Sequence, residues 1–182
     1  MNKARPNLTR EAFKNLRQIG SLVESSPYLS KKLLKGIDFS KPVHIVELGG
    51  GNGAVTRSIL NAISPNSRVS TVEIHPEFVK HLRSIEDNRL EVLNECISKN
   101  QSIAEQSVDA VISCLPIANF DTAKKTELLT KVKALLKPAG QFRQFQYSLL
   151  DYGQVKASFG NMQLDYCLFN IPPAFVYKSI NL

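Results

Sequence analysis

The chain has 182 residues, 43% of them hydrophobic, which is enough to bury a core in one domain without disulfides or metal. No apolar run approaches the ~18 residues of a membrane span, the N-terminus lacks a secretory apolar stretch, and three scattered cysteines with three unclustered histidines exclude zinc ribbons and redox dithiols, so a cytoplasmic protein with reduced thiols is expected. Net charge is +7, and residues 1–41 carry nine basic against three acidic side chains, so a basic end faces a nearly neutral remainder and calls for an acidic partner, phospholipid or nucleic acid.

Residues 9–23, TREAFKNLRQIGSLV, space Phe13, Leu16, Ile19, Leu22 and Val23 along one helical face, with Thr9 as N-cap and basic residues opposite. A short helix is predicted from Tyr28 to Lys35, ended by Gly36. VHIVEL after Pro42 reads as a first buried strand, AVTRSILNAI as a helix, and SRVSTVEI as a second strand. PEFVKHLRSI starts a helix with Pro76 in its first turn; RLEVLN and VDAVISC are the third and fourth strands. DTAKKTELLTKVKALL is a long helix capped by Asp121 and stopped before Pro138, and GQFRQFQYS a fifth strand. DYCLFN and PAFVYKSI read as two final strands with no helical spacer. Alternating strands and helices give an α/β fold in a single domain. Its sheet is mainly parallel, with helices on both faces and an antiparallel C-terminal edge.

In such sheets the ligand sits beyond the carboxyl ends of the strands at the switch point. Here that place is the loop in VELGGGNGAVT, from Val46 to Thr56. Gly49, Gly51 and Ala54 fit Gly-x-Gly-x-x-Ala, and Glu73 lies 20 residues after Gly53, where a ribose-binding acid belongs. NAD(P) and S-adenosylmethionine compete for this pattern. Glu47 discriminates between them. A carboxylate at the mouth of the strand repels a pyrophosphate but favours a ligand with an ammonium and a sulfonium. Gly49, Gly51 and Gly53 then serve tight turning and close backbone approach.

Glu-x-Gly-x-Gly-x-Gly with Glu73 resembles the class I S-adenosylmethionine-dependent methyltransferases, which implies their Rossmann-like fold. Taken whole, the chain resembles the bacterial phospholipid N-methyltransferases, which methylate phosphatidylethanolamine. The stretches that carry this are QIGSLVESSPYLSKKLL, VELGGGNGAVTRSIL, VEIHPEFVKHLR, VISCLPIANF, LLKPAGQFRQFQYS and NIPPAFVYK. The chain departs from that family in having Gly50 for Pro, Asn52 for Thr or Ser, Cys114 for Gly and Ala139 for Gly. The family's usual place after the third strand holds no acid, and Glu95, one residue off, is assigned to the adenine side.

The reading assigns cofactor contacts to Glu47, Gly49, Gly51, Gly53, Glu73, Ile74, Glu95 and Ser113. It assigns substrate contacts to Tyr28, Cys114, Leu115, Pro116 and Tyr147. Tyr147 and Ser113 take the catalytic role, mainly by orientation, because methyl transfer is an in-line displacement. Asp151 and Tyr147 stand as bases for the amine; Tyr28, Tyr147 and Phe120 could face a methylated ammonium. The basic helix of residues 1–41 is expected to cover the cofactor site and to meet an anionic bilayer or phospholipid as a peripheral protein of the inner membrane. Nucleic acid is the less favoured partner, since Ser113-Cys114-Leu115-Pro116-Ile117 replaces the Asn-Pro-Pro-aromatic motif of base methylation. An RNA methyltransferase, and a small-molecule or non-catalytic cofactor-binding member, remain the alternatives.

Overall fold

The computed structural model describes residues 25–182, so the helix predicted over residues 9–23 lies outside the described residues. Within them, α1 (Pro27–Leu34) opens behind Ser26, whose hydroxyl accepts from the Leu29 amide. The alternating units follow: β1 (His44–Leu48), α2 (Ala54–Ala62), β2 (Arg68–Val72), α3 (Pro76–Arg83), β3 (Leu90–Leu93) and β4 (Val108–Ser113). The chain ends with α4 (Thr122–Leu135), β5 (Leu136–Gln146), α5 (Tyr152–Phe159), β6 (Gln163–Cys167) and β7 (Ala174–Ile180).

The sheet order is β3-β2-β1-β4-β5-β7-β6, with β7 antiparallel to both neighbours and the other pairs parallel. β1 is buried at all five positions, which is why its sequence reads as an apolar run interrupted only by His44 and Glu47. Strand alternation sends Val46, Leu48, Val111 and Phe142 to one face, against Leu128, Val132 and Leu135 of α4 and Phe159 of α5. The opposite face sets Ile45, Val69 and Ile112 against Leu29 and Leu33 of α1 and Val55 and Ile59 of α2. The order reverses between β1 and β4, so the crevice at the switch point opens above Leu48 and Ser113.

The structure departs from the sequence pattern at two places. A helix, α5, does stand between β5 and β6. Its sequence YGQVKASF hides the helical period because only Val155 and Phe159 are buried and Gly153 sits in its first turn. β5 also begins earlier than the proline suggested. Leu136 pairs with Val108, then the register slips so that Gln141 meets Ala110. Residues 137–140 form the irregularity between them, and Pro138 is tolerated there because no ladder bond is required.

Ala139, in that irregular stretch, has φ +62. A left-handed backbone strains any residue with a Cβ, which explains why the resembled family carries glycine. Ala139→Gly is expected to stabilise the fold by up to about 1 kcal/mol, read by urea denaturation, after allowing for the freer unfolded chain.

Candidate functional site

The loop between β1 and α2 begins with the Gly49 amide donating to the Val72 carbonyl (2.8 Å), which ties its first turn to β2. Gly49, Gly51 and Gly53 all have positive φ, at +80, +51 and +79. Gly53 is the N-cap of α2, so the helix's free N–H groups open toward the crevice. Gly50 is confined by space rather than by its backbone. A Cβ there would press on the Thr71 methyl and come within 2.8 Å of Leu82 Cδ1. In this chain Thr71 and Leu82 fill the room that a proline would need.

Glu47 is fully buried, not at the open mouth of the strand as the sequence suggested. β1 ends at Leu48 as expected, and alternation turns Glu47 under the loop toward α2. One carboxylate oxygen, Oε2, accepts from the Thr56 hydroxyl (2.6 Å) and the Thr71 hydroxyl (2.8 Å). The other, Oε1, is buried with no hydrogen-bond partner among the described residues. Burial pushes the Glu47 carboxyl up to about 7, against the pull of the two threonines. A buried, half-satisfied carboxylate beneath a glycine turn is an acceptor held in place for a cationic group.

Glu73 follows β2 and is almost buried. Its Oε2 accepts from the Gly51 amide (3.1 Å), and its Oε1 accepts from the amides of Ile74 (2.8 Å) and His75 (2.9 Å). The carboxylate thus bridges the glycine loop and the start of α3. Ile74 itself is exposed beside it. Asn94, which the sequence reading missed, donates from Nδ2 to the Glu73 carbonyl (3.0 Å). Glu95 points into its own loop, where Oε1 accepts from Asn100 Nδ2 (2.8 Å). Asn94, just past β3, is therefore the residue bonded to the Glu73 turn, whereas the bond made by Glu95 is local.

Across the crevice, the Cys114 amide donates to the Leu48 carbonyl (2.8 Å), so β4 hands its chain over next to the loop. Leu115 Cδ2 sits 3.0 Å from where a Cβ on Gly49 would lie. The Leu115 carbonyl accepts from both Gln144 and Gln146 (3.0 Å each), two β5 amides that clamp the Leu115-Pro116 segment. Ser113 is buried, and its hydroxyl has no partner among the described residues. The Cys114 thiol is pushed well up, by burial first and then by the Glu47 and Glu73 carboxylates, so it stays neutral.

Tyr147 stands just past β5. Asn170 Nδ2 donates to its hydroxyl (3.5 Å) and to the Pro172 carbonyl (2.8 Å). Asn170 Oδ1 accepts from the Ser26 amide (3.0 Å), which links the start of α1 to the same point. Burial raises the Tyr147 hydroxyl above its ordinary range, so it keeps its proton. Asp151 is buried, with Oδ1 paired to Lys125 (2.5 Å). Tyr28 is mostly exposed and tilts against Phe169 with ring centroids 5.3 Å apart. Phe120 packs on the core cluster of the α4 face.

The residues present fit S-adenosylmethionine. Two carboxylates lie at the loop, one of them with a buried oxygen unpaired among the described residues. Glu73 already occupies the Gly51 N–H that a pyrophosphate would take. Among the described residues no group of His, Cys, Asp and Glu could hold a metal ion, and no helix is long and apolar enough to cross a membrane.

A family profile described as "Methyltransferase domain" matches residues 46–142. Ornithine lipid N-methyltransferase of Singulisphaera acidiphila is 31% identical over 172 residues, covering 91% of this chain and 90% of that protein. A SAM-dependent methyltransferase structure from Aquifex aeolicus superposes with TM-score 0.71 at 12% identity, covering 93% of this chain and 98% of that one. A 1,6-didemethyltoxoflavin-N1-methyltransferase from Burkholderia thailandensis, solved with S-adenosylhomocysteine, gives TM-score 0.67 at 16% identity, covering 99% and 92%.

Proposed function

Because the chain belongs to the methyltransferase-domain family and is a class I S-adenosylmethionine-dependent methyltransferase, we propose that it N-methylates the amine head group of a membrane lipid, phosphatidylethanolamine or an ornithine lipid. The observation that carries the lipid class is the near-full-length likeness to an ornithine lipid N-methyltransferase. The crevice agrees with it in chemistry. It has no Asn-Pro-Pro-aromatic segment for a nucleobase, and its acceptor side is lined by a neutral thiol, a protonated phenol and amides.

S-adenosylmethionine, when bound, supplies an electrophilic methyl on a sulfonium. Glu47 Oε1 would face its cationic methionyl end beneath the glycine turn, and Glu73 would take the ribose hydroxyls. Gln144 and Gln146 hold the Leu115-Pro116 segment rigid, so the lipid amine meets a fixed wall next to Cys114. Tyr147, fixed by Asn170, offers its hydroxyl and ring face to the amine, and the ring gains attraction as methylation leaves a bulkier cation. The basic segment at residues 1–24, outside the described residues, would add attraction to an anionic surface at about 1 kcal/mol per basic side chain near the surface.

The test is methyl transfer from labelled S-adenosylmethionine into vesicles containing phosphatidylethanolamine, ornithine lipid, or phosphatidylglycerol alone. Label is expected in the amine-bearing lipids and absent from phosphatidylglycerol. Cofactor binding without label in either amine lipid contradicts the proposal.

A further inference from the structure

Several of the large apolar side chains left in solvent stand at one end of the sheet, while others, such as Ile180 and Leu164, lie elsewhere. β5 and β7 are antiparallel with Gln146 opposite Phe175, and Cys167 ends β6 opposite Ala174. The β6–β7 turn therefore projects from the same end as the glycine loop, Glu73 and Tyr147. On that end Phe169 is 72% exposed, Ile171 86% and Leu150 82%, with Ile74 and Tyr28 also mostly exposed. Phe169 and Ile171 share the β6–β7 turn, Leu150 and Ile74 follow β5 and β2, and Tyr28 is in the first turn of α1; Asn170, between the two turn residues, is bonded to Tyr147. Along the flank of α1 runs a groove of about 910 Å³ that Tyr28 and Phe169 line at this end. Its lining includes Lys31, Lys32 and Lys35 and no carboxylate. Lys32 is held by Asp165 (2.7 Å), whereas Lys31 and Lys35 stand exposed.

We propose that this end of the sheet, with the flank of α1, is the face that docks on an anionic lipid bilayer. Phe169, Ile171 and Leu150 enter the interface, and Lys31 and Lys35 meet anionic head groups. The proposal rests on the lipid reading above and deepens it: the crevice opens toward the bilayer, and the amine is taken from the membrane plane rather than from solution. Charge decides the occupant. The groove's lining is mainly apolar, and its only charged members are lysines, so Lys31 and Lys35 give this flank a positive charge that attracts an acidic surface. Protruding aromatic and aliphatic tips on several loops suit a fluid interface, which moulds to them.

The full-length protein is compared with its Phe169→Glu/Ile171→Glu and Lys31→Glu/Lys35→Glu variants by co-sedimentation with vesicles of phosphatidylglycerol and phosphatidylethanolamine. The turn variant is expected to lose at least about tenfold in partitioning, because two inserted side chains become charged. The lysine variant should lose the part of binding that salt screens. Ile180→Glu, at the far end of β7, should bind as the unaltered chain does, and S-adenosylmethionine should raise the Tm of every variant equally. Unchanged partitioning of the turn variant, or no vesicle binding by the unaltered chain, overturns the docking face. Methyl transfer to the same amine lipids dispersed in detergent is read separately. Its absence in the unaltered chain removes the lipid reading even if docking holds, and its retention in the turn variant while vesicle binding falls supports both.

Discussion

Glu73→Ala is expected to raise the Kd for S-adenosylmethionine about 100-fold, since charge-assisted hydrogen bonds contribute roughly 1.5–3 kcal/mol each and more than one is removed. The carboxylate does two things at once. It accepts three backbone N–H groups, from Gly51, Ile74 and His75, and so fixes the left-handed turn at Gly51 against the end of β2. In the proposed site it also supplies the acceptor for the ribose hydroxyls. Alanine removes both, whereas Glu73→Gln keeps the volume but turns an amide NH2 toward backbone donors. Gln should therefore fall between the two. Calorimetric titration reads the affinity directly, and a Kd unchanged in the alanine variant would show that the cofactor lies elsewhere. The effect should appear in KM for the cofactor and little in kcat, because Glu73 is placed to bind rather than to touch the transferred methyl.

Glu47→Gln is expected to remove a pH dependence from both stability and cofactor binding. The Glu47 carboxyl sits at about 7 in the fold against an ordinary 4.5. Between those values the folded protein holds a proton that the unfolded chain has lost, so stability from this group is full below pH 4.5 and is lost as pH rises through 7. The shift corresponds to roughly 3 kcal/mol. Without cofactor, the glutamine variant should gain on the unaltered chain by that order between pH 4.5 and pH 8, measured by urea denaturation at each pH. His44 acts in the opposite direction. Burial and Arg68 hold it down to about 4, so its share of stability is lost as pH falls from 6.5 to 4. It is common to both proteins and cancels in the difference. With cofactor the order reverses. If the cationic ligand binds the ionised carboxylate, affinity in the unaltered chain should rise about tenfold from pH 6 to pH 7.5, and the glutamine variant should bind weakly with little pH dependence. Equal pH profiles in the two proteins would remove Glu47 from the site.

The sequence could be read for the sheet because β1, β2 and β4 are short apolar runs between turn residues, and their crossovers have a clear helical period. The glycine loop was legible for the same reason: its residues are contiguous. What could not be read is long-range. Asn170 meets Ser26 across 144 positions and brings Tyr147 with it, and no local pattern marks that contact. Thr56 and Thr71, which hold Glu47, look like ordinary helix and strand residues until the strands pair. Gln144 and Gln146 alternate as buried strand positions should, yet their joint target, the Leu115 carbonyl, lies on another strand's exit. The departures from the resembled family became intelligible only in three dimensions. Gly50 is pressed by Thr71 and Leu82, and Ala139 carries the backbone of a glycine.

The central claim is that the methyl group goes to a lipid amine, and one measurement meets it most directly. The purified full-length protein is incubated with labelled S-adenosylmethionine and a bacterial cell extract. The lipid, RNA, protein and small-molecule fractions are then separated and counted. The account predicts label in the lipid fraction, on a head-group nitrogen, with the number of methyl groups given by the mass of the product. Label in RNA or in the small-molecule fraction, with none in lipid, would contradict it.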